Sequence, residues 1–283
     1  MRKTILILSL GLLLLSCASP PMELTIMSFN VRFDNPNDGF NSWPYRKDVT
    51  MRMIQKQSPD IIGTQEALIN QLHDFRINLP GYNYVGVGRD DGMKEGEHCV
   101  IFYKKDRFRE VESGNFWLSE TPDVPGKKGW DAGYNRVTTW IILEDIATRK
   151  QLFFINTHLD NVGPVARQEG VKLLLNKISE LHKGLPVVLT GDFNSPPGSE
   201  VVSDITNPVL SKPLVHTKEV AQETTGTSWT YHGYGIPEEE RPFIDYIFVS
   251  KPVSVLSHHV LPEKMNGQYI SDHAAVVARI AIN

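Results

Sequence analysis

The 283-residue chain reads as an α+β protein, a four-layer α/β sandwich in which two packed, mostly antiparallel β-sheets are flanked by helices. Three observations predict this. Apolar runs of strand length recur along the chain, and several are apolar on nearly every residue, as strands covered on both faces are. Helical patterns are fewer and lie between those runs. No linker, repeat or low-complexity stretch divides the chain, so one domain is expected over residues 22–283. Hydrophobic residues at 41% and charged residues at 22% suit a folded core rather than disorder.

The first element is an address rather than part of the fold. Met1-Arg2-Lys3 precedes a mostly apolar run through Leu15, which is the pattern of an export signal. The run is shorter than the roughly 20 residues a bilayer-spanning helix needs. Its end, Leu14-Leu15-Ser16-Cys17, resembles the bacterial lipoprotein box. That resemblance implies removal of residues 1–16 as a signal peptide and lipidation of Cys17. The protein would then be held to a membrane by a lipid anchor, on the periplasmic side or cell surface of a bacterial envelope. Loss of Arg2 and Lys3 would move the net charge from -4 to -6. An acidic chain of this kind has no overall field for a long polyanion, so nucleic acid would require a local patch. With Cys17 lipidated, Cys99 would be left without a disulfide partner; within Cys99-Val100-Ile101-Phe102-Tyr103 it is expected to pack in a strand. A monomer is expected.

Strands are predicted over Leu24–Phe29, Val100–Tyr103, Val137–Leu143, Leu152–Ile155, Val187–Thr190, Ile244–Val249 and Ala274–Ile280, which are rich in β-branched and aromatic residues. The clearest helix is Pro164 to Lys183, where Val171, Leu174, Leu175, Ile178 and Leu181 share one face and Pro164 suits the first turn. A second helix follows Pro44 through Val49, Met53 and Ile54, and a third covers Ala67 to Leu79. Gly86-Val87-Gly88-Arg89 lacks the third glycine of a dinucleotide loop and reads as a turn. His258-His259 reads as a strand surface rather than a metal site. Trp43, Trp117, Trp130 and Trp229 fit either a pocket rim or ordinary packing.

Polar residues gather where the strands stop. Asn30, Gln65-Glu66, His158 with Asp160, Asp192 with Asn194, and Asp272-His273 each adjoin an apolar run, and Asp245 lies within one. A buried carboxylate is costly unless it is paired or binds a cation. The set is rich in oxygen and lacks Cys-x-x-Cys or closely spaced histidines. It therefore points to a hard cation, Mg²⁺ or Mn²⁺ in its place, rather than structural zinc.

The order Phe29-Asn30-Val31, Gln65-Glu66, Asn156-Thr157-His158-Leu159, Gly191-Asp192-Phe193-Asn194, Ile244-Asp245-Tyr246 and Ser271-Asp272-His273 resembles the endonuclease/exonuclease/phosphatase superfamily. The stretch around Trp117, Trp130 and Asn135-Arg136 resembles bacterial and fungal members nearest its nocturnin-like deadenylase side. His158 stands where the exonuclease III branch has a tyrosine, which argues against abasic-site repair. The resemblance implies a metal-dependent phosphoesterase, either a phosphodiesterase or a phosphatase, with 3'-5' exonuclease-like action within its range. It implies metal held by Asn30 and Glu66, with Asp272 as a direct or water-bridged ligand. Asp192 would activate water, and Asn194 would hold that carboxylate or a phosphate oxygen. Asp245 and His273 would pair to stabilise phosphoryl charge. His158 would donate to the phosphate or leaving oxygen, and Arg136 would clamp phosphate. Asp160 stays open between ligand and turn acid. Substrates open to such an enzyme are nucleic acid ends, small nucleotides, phospholipid head groups, and sugar or inositol phosphates; export disfavours the nucleic acids. A non-catalytic surface binder reusing the fold is the alternative, against which the full set of polar residues speaks. A zinc-capturing lipoprotein is disfavoured by scattered histidines.

Overall fold

Met22–Asn30 (β1) shows how continuous apolar runs become strands buried on both sides. Leu24 and Ile26 enter a core shared with Ile141, Phe154, Val188 and Ile247, while Met27 and Phe29 enter a different core with Val49, Ile54 and Phe75. Side chains two apart share a face and neighbours oppose, so one apolar run feeds two layers. The computed structural model describes residues 20–207 and 214–283. The signal peptide over residues 1–16 and the lipidation at Cys17 therefore lie outside the described residues.

In chain order the remaining main strands are Ile61–Ala67 (β2), Tyr82–Val85 (β3), His98–Lys104 (β4), Phe108–Trp117 (β5), Val137–Asp145 (β6), Gln151–His158 (β7), Val187–Asp192 (β8), Leu214–His216 (β9), Glu223–Thr225 (β10), Asp245–Ser250 (β11), Ser254–Val260 (β12) and, after a short hairpin of Lys264–Met265 (β13) and Gln268–Tyr269 (β14), Val276–Ile282 (β15). One sheet has the order β10-β12-β15-β1-β2-β4-β3 and the other β5-β6-β7-β8-β11-β9. Among the described residues only β1 with β2, β7 with β8 and β10 with β12 run parallel. Helices Trp43–Gln57 (α1) and Ile69–Asn78 (α2) cover the outer face of the first sheet; Pro164–Leu181 (α3) and Glu200–Thr206 (α4) cover the second. The result is the expected four-layer sandwich, two mixed sheets between helices. Among the described residues no helix is long and apolar enough to cross a membrane.

Several details depart from the sequence reading. The helix expected from Ala67 begins at Ile69, because β2 keeps pairing as far as Ala67. Phe108–Trp117 was not expected as a strand: it is a sheet edge whose exposed Arg109, Glu110 and Glu112 hide the pattern and blunt the edge. His258, expected on a strand surface, is fully buried; its Nδ1 meets Thr217 Oγ1 at 2.9 Å under a short helix, Thr217–Val220 (α5). Trp43, Trp117 and Trp229 are buried, which makes them packing residues.

Candidate active site

Topology brings the strand ends together. Parallel pairing sends the carboxyl ends of β1 and β2 to one edge, and those of β7 and β8 to one edge of the other sheet. Antiparallel partners begin where these end: Asp245 opens β11 opposite Asp192, and β15 enters beside β1. Hydrogen bonds between Asn30 and Asp192 show that the two edges meet. Gly63 permits this approach of the two sheets, and Gly191 that of β8 to its neighbour β7. A Cβ at Gly63 would lie 2.2 Å from Thr190 Oγ1 across the sheets, and one at Gly191 would lie 2.5 Å from the Thr157 carbonyl. Asn156 ties the layers beneath, accepting from Gln65 Nε2 and Thr190 Oγ1 and donating to the Thr64 and Val100 carbonyls.

At the shared edge Glu66, Asp192 and His273 place one ligand atom each within 4.8 Å of one another. Asn30 bridges the two carboxylates: its Nδ2 donates to Glu66 Oε1 at 2.9 Å and to Asp192 Oδ2 at 3.0 Å. Its Oδ1 accepts the Arg32 backbone N–H at 3.0 Å, because Arg32 turns into the left-handed region. Glu66, Asp192 and His273 thus meet at one point, with Asn30 bonded to both carboxylates and Asp272 alongside, so the residues that the resemblance offers as metal ligands lie together. Asp272 is 3.7 Å from Arg32 Nε and 4.0 Å from His273 Nε2. Glu66 is aimed by a register shift in β2 after Thr64 and by its own φ of 65°. Asn194, at φ 46°, donates its backbone N–H to Asp192 Oδ1 and its amide to the Leu159 carbonyl, and meets His158 Nε2 at 3.2 Å. Left-handed Arg32, Glu66 and Asn194 around one cleft concentrate backbone strain where the polar groups meet.

The electrostatics follow from burial and crowding. Burial, then neighbouring Asp245, pushes the Asp192 carboxyl up to about 7, although His273 and the bonds from Asn194 and Asn30 oppose this. Burial alone would lower the His273 imidazole; Asp245, whose Oδ2 is 2.9 Å from Nδ1, overrides it and raises it to about 10. His273 is therefore a cation at neutral pH. Burial, with Arg136, Arg89 and His273 nearby, holds His158 well below the ordinary value and neutral. Burial also raises Asp272. The second oxygen of Asp245 has no hydrogen-bond partner. The carboxylates of Glu66, Asp192 and Asp272 gather hard oxygen donors in one part of the cleft, which suits a divalent cation.

Glu66, Asp192, Asp272, His273, Asn194, His158 and Arg136 line one cleft of about 430 Å³. Arg136 is held by Asp160 and Asn161. Asp160 itself accepts the backbone N–H groups of Gly133, Tyr134, Val162 and Gly163, so it is a loop-organising acid rather than a ligand. Sequence reasoning missed Arg32, Arg89, Glu97 and Tyr231, which also line the cleft. It also missed Arg46, fully buried in α1, which donates to the carbonyls of Val31, Arg32, Asn41 and Ile270. Its site on an otherwise apolar helix face, in register with Trp43, Val49 and Thr50, was the available signal.

This fold and cleft define a phosphoesterase of the two-sheet sandwich type. The profile of the Endonuclease/Exonuclease/phosphatase family matches residues 27–273, and the chain belongs to that family. It is a hydrolase of phosphate ester bonds. An endonuclease/exonuclease/phosphatase structure from Bacteroides vulgatus is 39% identical, with TM-score 0.89, covering 93% of this chain and 100% of that one. The mannosyl-6-phosphatase of Bacteroides thetaiotaomicron is 37% identical, with TM-score 0.82, covering 91% and 99%. Mouse nocturnin is 24% identical, covering 94% of this chain and 67% of that protein, in keeping with the nocturnin side of the family. The chain spans about half the length of the first curated relatives it matches, 59% and 47%.

Proposed function

We propose that this protein is a Mg²⁺-dependent phosphomonoesterase acting on a small hydroxylated compound such as a sugar phosphate. The observation that carries the reading is the convergence of Glu66, Asp192 and His273 within 4.8 Å in a cleft of about 430 Å³. That volume suits a small molecule rather than a polymer. The likeness to a mannosyl-6-phosphatase supports the choice of substrate class. The leader and Cys17 support placement at a bacterial cell envelope, where scavenged phosphate esters would be met.

Glu66, with Asp192 or Asp272, would hold the cation, which when bound supplies neutralisation of the phosphoryl oxygens. Asp192 is fixed by Asn30 and Asn194 beside the cation position, as a general base must be. It takes the proton of a water whose oxygen attacks phosphorus in line. The ester P–O bond breaks as the new one forms; the leaving oxygen keeps the bonding pair and is protonated from solvent. His273, kept cationic by Asp245 and 3.8 Å from Asp192, stabilises the charge gathering on the phosphoryl oxygens. Neutral His158, 3.2 Å from the Asn194 amide, orients the phosphate.

Hydrolysis of hexose 6-phosphates, nucleotides, oligonucleotides and phospholipid head groups should be measured with Mg²⁺, Mn²⁺ or chelator. Turnover of monoesters that stops with chelator is expected. Turnover undiminished by chelator, or confined to diesters, would overturn the proposal.

A further inference from the structure

Beside Glu66 and His158 the cleft contains hydrogen-bonding capacity that the reaction described above does not use. Arg136 is 4% exposed, with Nε on Asp160 at 3.3 Å and Nη2 on Asn161 at 2.9 Å, yet its Nη1 is buried without a partner. Arg89 donates Nη1 to Glu97 Oε2 at 2.6 Å, while its buried Nε makes no hydrogen bond. Both guanidinium groups lie against the ring of Tyr134, at 5.2 and 5.8 Å from its centroid, so their planes are held in place. All four side chains line the same cleft as Glu66, Asp192 and His273. Buried donors without partners are rare because each costs the desolvation of the group.

We infer that Arg89, Glu97 and Arg136 form a subsite for hydroxyl groups of the leaving moiety, beside the position of the phosphate. The charge balance chooses hydroxyls over a second anion. Arg89 is already paired with Glu97, and Arg136 with Asp160. A second phosphate would sit against the Glu97 carboxylate. A hydroxyl meets both demands, since its lone pairs accept from the free guanidinium N–H groups and its proton goes to the carboxylate. A subsite built for such bonds rejects an analogue that lacks the hydroxyl, because its buried donors are then left unpaired. This assignment rests on the phosphate being bound at Glu66, Asp192 and His273.

The test is a ratio. The value of kcat/KM is measured for mannose 6-phosphate and for n-hexyl phosphate, which has the same phosphate and carbon count and no hydroxyls, in the presence of Mg²⁺. The full-length protein is compared with Arg89→Met and with the double variant Arg89→Met/Glu97→Met, which removes both members of the pair and leaves no buried charge behind. The unmodified enzyme is expected to favour the sugar phosphate by about a hundredfold, and both variants to reduce that preference by about tenfold or more, from the cost of unpaired buried donors. An active enzyme that does not discriminate, or a preference equal in all three proteins, overturns the subsite and leaves the phosphomonoesterase reading intact. An enzyme inert toward both compounds removes that reading and the subsite with it.

Discussion

Replacing Arg46 by methionine tests whether the edge that carries the catalytic groups is held from beneath. The guanidinium is fully buried in α1 and donates to four backbone carbonyls, at 2.9 Å to Asn41, 2.7 Å to Val31, 3.1 Å to Ile270 and 2.5 Å to Arg32. Val31 and Arg32 directly follow Asn30, and Ile270 directly precedes Ser271-Asp272-His273. Methionine fills a similar volume but removes all four bonds; the Val31 carbonyl loses its donor, while those of Asn41, Arg32 and Ile270 keep Tyr234, Gln71 and Thr50. At about 1 kcal/mol for each of the four hydrogen bonds removed, the loss is about 4 kcal/mol. For a domain of this size that lowers Tm by about 10 °C. Below the melting range kcat should still fall by about tenfold or more, because small misplacements of catalytic groups are expensive. Arg46→Lys keeps a charge and three donors, and should recover part of both losses. Thermal melts and steady-state kinetics on the three proteins decide the matter. An Arg46→Met protein that melts within about 2 °C of the parent with unchanged kcat would show the clamp to be unnecessary.

Three further outcomes are expected. Asp192→Asn should lower kcat/KM by about a thousandfold, as removal of a general base does; because burial raises this carboxyl, its favourable contribution is lost as pH rises through about 7, so the variant's Tm at pH 8 with chelator should be no lower than the parent's. Asp245→Asn removes the carboxylate that keeps His273 protonated up to about 10, so activity should fall by about a hundredfold at pH 8; the variant-to-parent ratio should decline as pH rises from 6 to 9, and a flat ratio would refute the pairing. Burial, then Lys218, lowers His258 to about 4, so the stabilisation by its neutral form is present above 6.5 and lost as pH falls through about 4. The stability gap between parent and His258→Asn, read from urea unfolding, should therefore shrink by about 3 kcal/mol over that interval; a gap independent of pH would exclude the titration.

Strand interiors were legible because both faces of each sheet are covered: runs such as Leu152–Ile155 feed Leu152 and Phe154 to one core and Phe153 and Ile155 to another, leaving no polar position to blur the pattern. Edge strand Phe108–Trp117 was illegible for the converse reason, since its exposed charges answer to solvent rather than to a core. The acids, amides and imidazoles were legible as a set, because they interrupt or end apolar runs where an unpaired polar group would be costly.

Residue chemistry alone therefore determined the sandwich, the polar strand ends and their suitability for a hard cation. Which atoms face one another was decided only by tertiary structure. Asn30 became a bridge between Glu66 and Asp192 because the left-handed turn at Arg32 takes its oxygen, and Arg89, in the turn expected there, lines the cleft because Gly88 pairs with His98. Orientation of this kind depends on backbone dihedrals and cross-sheet contacts between residues as far apart as Asn30 and Asp192, and local sequence pattern has no term for either.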